Sequence, residues 1–102
     1  MTTETPVLDL LTGMTALSLE ATSLGERELA LVRIAALVAM DAPPISYALN
    51  LGVADDLAVD AEEIRGVVAA VAPIVGTARV AAAIEHMVEA LALAELDEKQ
   101  PA

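Results

Sequence analysis

Apolar residues recur with helical spacing along almost the whole chain. In the first segment, residues 6–20, they form one stripe at intervals of three and four: Val7, Leu10, Leu11, Met14 and Leu17, with Ala21 at its end. No long run alternates with a period of two, and alanine is too frequent for strands. We therefore predict an all-α protein, a bundle of about five helices.

The segment Glu26–Met40 predicts a second helix with apolar residues on both sides. One side carries Leu29, Val32, Ala36, Leu37 and Met40, and the other carries Leu31, Ile34 and Val38. A helix that is apolar almost all round is buried on most faces, so we expect this of Glu26–Met40. Ser23 with Glu26 predicts a capping box at its start.

Two prolines after Met40 force a turn before a third helix. Asp41 is predicted as its N-cap, with Pro43 in its first turn. We expect this helix to run to about residue 53, followed by a connection at 54–58.

Capping signals also place the fourth and fifth helices. Asp60 with Glu63 predicts a capping box that opens a helix ending near residue 75, kinked or ended by Pro73 and closed by Gly76. Thr77 is predicted to cap a last helix that ends near residue 96. The polar tail, 97–102, is expected to fray.

The composition bounds the architecture. A chain of 102 residues makes one domain, residues 1–102, yet 57% of its residues are hydrophobic and its mean hydropathy is +0.65. The surplus of apolar residues needs either a membrane or a subunit interface. The longest uncharged stretches, 42–54 and 66–78, are shorter than a membrane span and are broken by proline or glycine. We therefore expect a homo-oligomer.

Charge and cysteine content exclude several classes of chemistry. The formal net charge of −11 disfavours nucleic acid and anionic lipid as partners, because both are bound by basic surfaces. The absence of cysteine excludes disulfides, thiol catalysis and thiolate metal sites. The first nine residues lack the features of a secretory signal, so the cytoplasm is the default location.

The order of several segments resembles a known family. Glu26–Met40 reads ERELALVRIAALVAM; a turn and a helix follow, then VDAEEIR at 59–65 and VAPIVG at 71–76, before an alanine-rich helix. Over residues 24–92 this order is similar to the carboxymuconolactone decarboxylase family, which includes the alkyl hydroperoxidase D proteins. The resemblance implies an all-α fold and a homo-oligomer, commonly a trimer or a hexamer of trimers.

The redox motif of that family is missing from this chain. Its peroxidase branch carries Cys-x-x-Cys-x-x-x-His where this sequence has Pro43, Ser46 and Asn50. Thiol peroxidase chemistry is therefore excluded, since proline and serine supply no thiolate. The decarboxylase branch uses polar and ionisable groups in the same pocket region, where Asn50 replaces the histidine. Engineered removal of the cysteines is a further interpretation; it suits Ser46 but not Pro43.

The resemblance points to Ser46, Tyr47 and Asn50 as substrate-binding candidates. Ser46 and Asn50 lie one helical turn apart and can face one pocket. The alternative is that Asn50 bonds locally or to solvent and that Ser46 packs as a small residue. Tyr47 can stack on a ligand, or it is a core tyrosine with a bonded hydroxyl.

His86 and Arg33 are the candidates for a catalytic or ligand-binding ionisable group. His86 can titrate near neutral pH, or it is a surface or interface histidine beside Glu85 and Glu89. With Glu89 it supplies two metal ligands at most, so we predict no metal site. Arg33 can hold an anionic substrate, or it pairs with an acid such as Asp41, Asp55 or Asp56 or reaches the surface.

Two hypotheses of function follow. The first is a non-redox member of the family that binds or transforms a small carboxylate or lactone-like compound in an interhelical pocket. If catalytic, it would be a cofactor-independent, decarboxylase-like lyase. The second is a non-catalytic oligomeric structural or interaction module. The expected partners are further copies of the chain and a small molecule, with no nucleic acid and no membrane.

Overall fold

A computed structural model describes residues 5–99, which form five helices and no strand. The helices are α1 (Pro6–Ala21), α2 (Glu26–Met40), α3 (Pro44–Asp56), α4 (Ala61–Val75) and α5 (Thr77–Lys99). The prediction of an all-α protein with about five helices is confirmed. Within the described range, no helix combines the length and the apolarity that a membrane crossing requires.

The helix α2 lies at the centre of the fold, in contact with α3, α4 and α5. Its buried residues, Ala30, Ile34 and Val38, recur every four positions and so define one face. On the opposite side Val32 and Met40 are exposed. The prediction that α2 is buried on most faces is therefore wrong, because the three neighbouring helices cover only one side of it.

Small residues dominate the core. Two buried clusters share this character: Val38, Ala42, Tyr47, Val68, Ala83 and Ala90 form the first, and Ala30, Ile34, Ala54 and Val59 form the second. Alanine at these positions allows close approach of the helix axes. Tyr47 supplies the largest fully buried side chain.

The turn between α2 and α3 differs from its prediction. Asp41 is the C-cap of α2 rather than the N-cap of α3, with a left-handed backbone (φ 56°, ψ 51°), and its N–H donates to the carbonyls of Leu37 and Val38. Aspartate tolerates this conformation better than most residues. Pro43 is the N-cap of α3 and Pro44 its first residue. Consequently Pro43 lies outside the helical face that Ser46 and Asn50 share.

The far end of α3 and both ends of α4 are also defined. The helix α3 continues to Asp56, so the connection predicted to begin at residue 54 starts later. The capping box at the start of α4 is confirmed: Asp60 Oδ1 accepts from the Glu63 N–H at 2.8 Å, and Glu63 Oε1 accepts from the Asp60 N–H at 3.2 Å. Pro73 lies inside α4, which Gly76 closes with a φ of 88°.

Three other terminal predictions are corrected. Gly25, not Ser23, is the N-cap of α2, and no side chain caps that end. Thr77 is the first residue of α5 rather than its cap. The helix α5 extends to Lys99, through the start of the tail expected to fray; residues 100–102 of that tail lie outside the described residues.

The helix α1 stands apart from the other four. None of its residues is buried, and no other described helix packs against it. Arg33 Nη2 of α2 donates a hydrogen bond to Ser18 Oγ of α1 at 3.0 Å. The apolar stripe predicted for this segment is therefore present, and none of the four other described helices covers it.

Candidate binding cleft between α1, α2 and α3

Arg33 projects from the middle of α2 and is half-buried. Its Nη2 donates to Ser18 Oγ, and no described carboxylate lies within ion-pairing distance of its guanidinium. Arg27 forms an ion pair with Glu63, and the His86 imidazole lies near the Asp41 carboxylate. Pairing of Arg33 with Asp41, Asp55 or Asp56 is therefore not found, whereas the other branch of that alternative, an arginine that reaches the surface, agrees with its partial exposure.

An open cleft of about 260 Å³ lies beside Arg33. Its lining combines apolar side chains with a few polar ones: Leu19, Glu26, Leu29, Ala30, Arg33, Asn50, Val53, Asp56 and Leu57. Pockets for drug-sized ligands begin at roughly 300 Å³, so this cleft suits only a small molecule.

Asn50 reaches the same cleft from the middle of α3. Its Nδ2 donates to the Ser46 carbonyl at 2.9 Å, one turn earlier in the helix. This local bond is the one that the alternative interpretation of Asn50 expected, and it leaves Oδ1 as an acceptor. The fold thus brings Arg33 and Asn50 to one cleft, whereas Ser46 and Tyr47 do not line it.

Two carboxylates, those of Glu26 and Asp56, complete the lining. Glu26 lies in the first turn of α2, and Asp56 is the last residue of α3. The short turn at 41–43 indicates that α2 and α3 form a hairpin, which brings the start of one helix beside the end of the other. The sequence carries that signal, yet neither acid is among the predicted site residues.

Tyr47 and His86 meet at a different place, between α3 and α5. Their ring centroids are 6.4 Å apart, and Tyr47 is fully buried. His86 Nδ1 lies 3.8 Å from Asp41 Oδ1, beyond hydrogen-bond distance. Burial raises the pKa of the Tyr47 phenol, and the nearby Asp41 carboxylate raises it further. His86 therefore faces Tyr47 and Asp41, away from the Arg33 cleft.

The Tyr47 hydroxyl and one nitrogen of His86 are buried without a hydrogen bond to any described residue. Tyr47 Oη and His86 Nδ1 are both buried, and neither has a hydrogen-bond partner among the described residues. Tyr47 is thus a core tyrosine, as one interpretation expected. That interpretation also expected its hydroxyl to be hydrogen-bonded, and this part is wrong for the described residues. An unpaired buried hydroxyl is unfavourable for stability.

The described residues offer binding groups rather than an evident nucleophile. Ser46 Oγ makes no hydrogen bond with His86, so no serine–histidine pair is assembled there. Over the same part of the chain, no group of three or more His, Asp or Glu side chains is placed to hold a metal ion. The cleft can provide a cation, an amide acceptor and apolar walls to a small ligand.

Comparison of the chain with protein-family models, with curated proteins and with solved structures finds no match. The fold and the cleft define the class: an all-helical protein with an arginine-bearing cleft between α1, α2 and α3. Membership of the carboxymuconolactone decarboxylase-like family stays a prediction that depends on the order of the sequence segments.

Proposed function

We propose that this protein is a non-redox relative of the carboxymuconolactone decarboxylases that binds a small carboxylate or lactone-like compound in the cleft beside Arg33. One observation carries the proposal: Arg33, a half-buried residue, lines the cleft without a described carboxylate partner. Buried charges are normally paired, and a ligand carboxylate would provide the missing partner. The proposal takes the cytoplasm as the site of action.

The other lining residues limit the ligand. The volume of about 260 Å³ favours a compound of few heavy atoms. Asn50 Oδ1 can accept a hydrogen bond from a ligand hydroxyl, and apolar side chains such as Leu29 and Val53 can contact a short hydrocarbon segment. Glu26 and Asp56 repel an anion, so binding should be weak unless the carboxylate contacts Arg33 directly.

A matched pair of probes tests the role of charge. Titrating the full chain with 4-hydroxybutyrate and, separately, with its neutral cyclic form γ-butyrolactone presents the same carbon skeleton with and without a carboxylate. In two-dimensional NMR spectra, we expect 4-hydroxybutyrate to shift the amides of α2 and α3 around Arg33 and Asn50. The lactone should produce smaller shifts. Interconversion or loss of either probe in these samples would indicate turnover.

Arg33→Gln is the decisive variant, since it keeps a polar side chain and removes the charge. Arg65→Gln is the matched control, because Arg65 is exposed on α4 and does not line the cleft. We expect Arg33→Gln to weaken carboxylate binding at least tenfold and Arg65→Gln to change it less than twofold. Equal binding to the Arg33→Gln variant and the unmodified chain would contradict the proposal.

A second candidate function, a self-associating interaction module, is favoured by a separate observation. Every residue of α1 is exposed, including its apolar stripe. Large uncovered apolar surfaces are typical of protein interfaces. Sedimentation analysis should give a mass above that of one 10.5 kDa chain, and a monomer at all concentrations would exclude this candidate.

A further inference from the structure

The α1 stripe, defined as Val7, Leu10, Leu11, Met14 and Leu17, has no partner in the described fold. These side chains are 50% to 67% exposed. Isolated helices of up to about 15 residues are marginal in water, and α1 has 16. Most of the stability of such a helix comes from packing its apolar face, so α1 needs a surface to cover the stripe.

A second uncovered apolar surface is the α3–α5 groove, a depression of about 870 Å³ between α3, α4 and α5. Its wall on α5 includes Ile84, Val88 and Leu91, each more than half exposed. Small residues such as Ala48 and Gly52 line its α3 side. No residue of α1 or α2 contributes to the lining.

The stripe and the groove match in length and spacing. The 16 residues of α1 span about 24 Å, and the lining of the groove along α5, from Val80 to Ala94, spans about 21 Å. Helices that bind in grooves insert apolar side chains at positions i, i+3, i+4 and i+7. Val7, Leu10, Leu11 and Met14 have this spacing.

We propose that the α1 stripe of one copy docks in the α3–α5 groove of a second copy, and that the second copy returns the same contact. In the described chain, the Arg33–Ser18 hydrogen bond holds the end of α1 on the opposite, α2–α3 side. The inference depends on self-association, the second candidate function, and is independent of carboxylate binding.

The area of contact favours reciprocal exchange. A large aliphatic side chain presents roughly 100 Å², so five stripe residues about 60% exposed provide about 300 Å². Because the groove loses about as much accessible area as the stripe, one docked helix buries about 600 Å² in total, which is the size of a crystal contact. Two reciprocal contacts bury about 1,200 Å², the lower limit of stable interfaces. A closed two-fold dimer, rather than the trimer or hexamer that the family resemblance implies, is therefore the assembly expected from this contact.

Charge gives the dimer a distinctive dependence on salt. Each copy has a formal net charge of −11, so two copies repel one another. Added salt screens this repulsion and leaves apolar contacts in place. The dissociation constant of the dimer should therefore decrease when the sodium chloride concentration is raised from 0.05 M to 0.5 M, a change that shortens the Debye length about threefold. A rise of that constant would point to an interface held by ion pairs and contradict the docking proposed.

Four substitutions on exposed positions test the two surfaces. Met14→Glu places a charge in the stripe, and Ala16→Glu places it on the opposite side of α1. Val88→Glu places a charge in the groove, and Ala81→Glu places it elsewhere on α5. Circular dichroism establishes that each variant is folded, and sedimentation analysis gives its mass.

We expect the unmodified chain and both controls to be dimers, and Met14→Glu and Val88→Glu to dissociate at least tenfold more readily. A monomeric unmodified chain would exclude self-association itself. A dimer weakened by Met14→Glu but unaffected by Val88→Glu would overturn only the groove assignment, since α1 would then pair with α1. Because the chain has no cysteine, mixing Met14→Cys with Val88→Cys and oxidising should give a cross-linked pair; failure to cross-link also opposes the assignment.

Discussion

Replacing Tyr47 by phenylalanine should stabilise the fold, the opposite of the usual result for a core substitution. The ring is fully buried, and its hydroxyl has no hydrogen-bond partner among the described residues. Phenylalanine keeps the ring in the core and removes only the oxygen. The substitution therefore removes a desolvated polar group without losing a hydrogen bond to any described residue.

The expected size follows from the desolvation of one hydroxyl. Leaving a buried polar group unpaired costs about 1 to 3 kcal/mol, and part of the gain is lost to the small void that the oxygen leaves. A net gain of about 1 kcal/mol is expected. For a domain of this length, this gain corresponds to a rise of about 4 °C in the melting temperature.

The dependence of stability on pH provides an independent test of the same prediction. The pKa of Tyr47 in the fold is raised above 10.0, so above that pH the unfolded chain releases the phenolic proton more readily than the folded chain does. The contribution of the neutral phenol is complete below pH 10.0 and is lost as the pH rises through the folded pKa. The advantage of Tyr47→Phe should therefore increase in alkali.

Urea and thermal unfolding, followed by circular dichroism at one protein concentration, measure the free energy of unfolding. A fixed concentration is needed because self-association alters the apparent stability. Tyr47→Leu is the comparison variant: it removes the ring and should destabilise the fold by about 2 kcal/mol or more. As the only tyrosine, Tyr47 also accounts for the whole tyrosinate absorbance, whose titration midpoint should lie above 10.0.

A loss of 1 kcal/mol or more in Tyr47→Phe would refute the reasoning, because it would show that the hydroxyl makes a stabilising bond. A titration midpoint at or below the ordinary tyrosine value would contradict the burial of the phenol. If both results occurred, Tyr47 Oη would belong to a hydrated or ligand-contacting site rather than to a dry core.

Three further predictions concern stability and use the same unfolding measurements. Ile34→Ala should cost about 2 to 5 kcal/mol because its side chain is fully buried, whereas Val32→Ala, on the exposed side of α2, should cost less than about 1 kcal/mol; equal losses would contradict the assignment of faces. Asp60→Ala should cost about 0.5 to 2 kcal/mol through loss of the capping box, and no loss would mean that the cap is not formed. Gly76→Ala should cost about 1 to 3 kcal/mol, since its φ of 88° suits glycine. Gly66→Ala, inside α4 with open space around it, should be neutral or stabilising. A larger loss of stability in Gly66→Ala than in Gly76→Ala would exclude this backbone conformation.

The positions of the helices could be predicted from the sequence because the relevant signals are local. The Asp60–Glu63 capping box and Gly76 marked the ends of α4. Where local signals competed, the prediction failed: Asp41 has the chemistry of an N-cap, yet it closes α2 in a left-handed conformation. Aspartate is suited to both positions, and only the path of the chain into Pro43 and Pro44 selects between them.

The candidate site was predicted in part. Arg33 and Asn50 were selected from the sequence, and the hairpin of α2 and α3 places both at one cleft. Glu26 is not predicted as a site residue because an acid in the first turn of a helix is explained by the helix dipole, and no local signal in the sequence distinguishes Asp56 from the other acids. The absence of a described carboxylate partner for Arg33 could not be foreseen in a chain with 16 acidic residues, since pairing depends on distances between helices.

The sequence by itself determined that the chain is helical, has a formal net charge of −11 and contains no cysteine, because these properties follow from short-range periodicity and composition. The tertiary structure decided which apolar residues form the core. Val32 and Ile34 differ little in hydrophobicity and lie two positions apart on α2, yet one is exposed and the other is fully buried. When a chain has more apolar side chains than one small core can enclose, each helix has several apolar faces that could be buried. Only the packing between helices selects which face is buried.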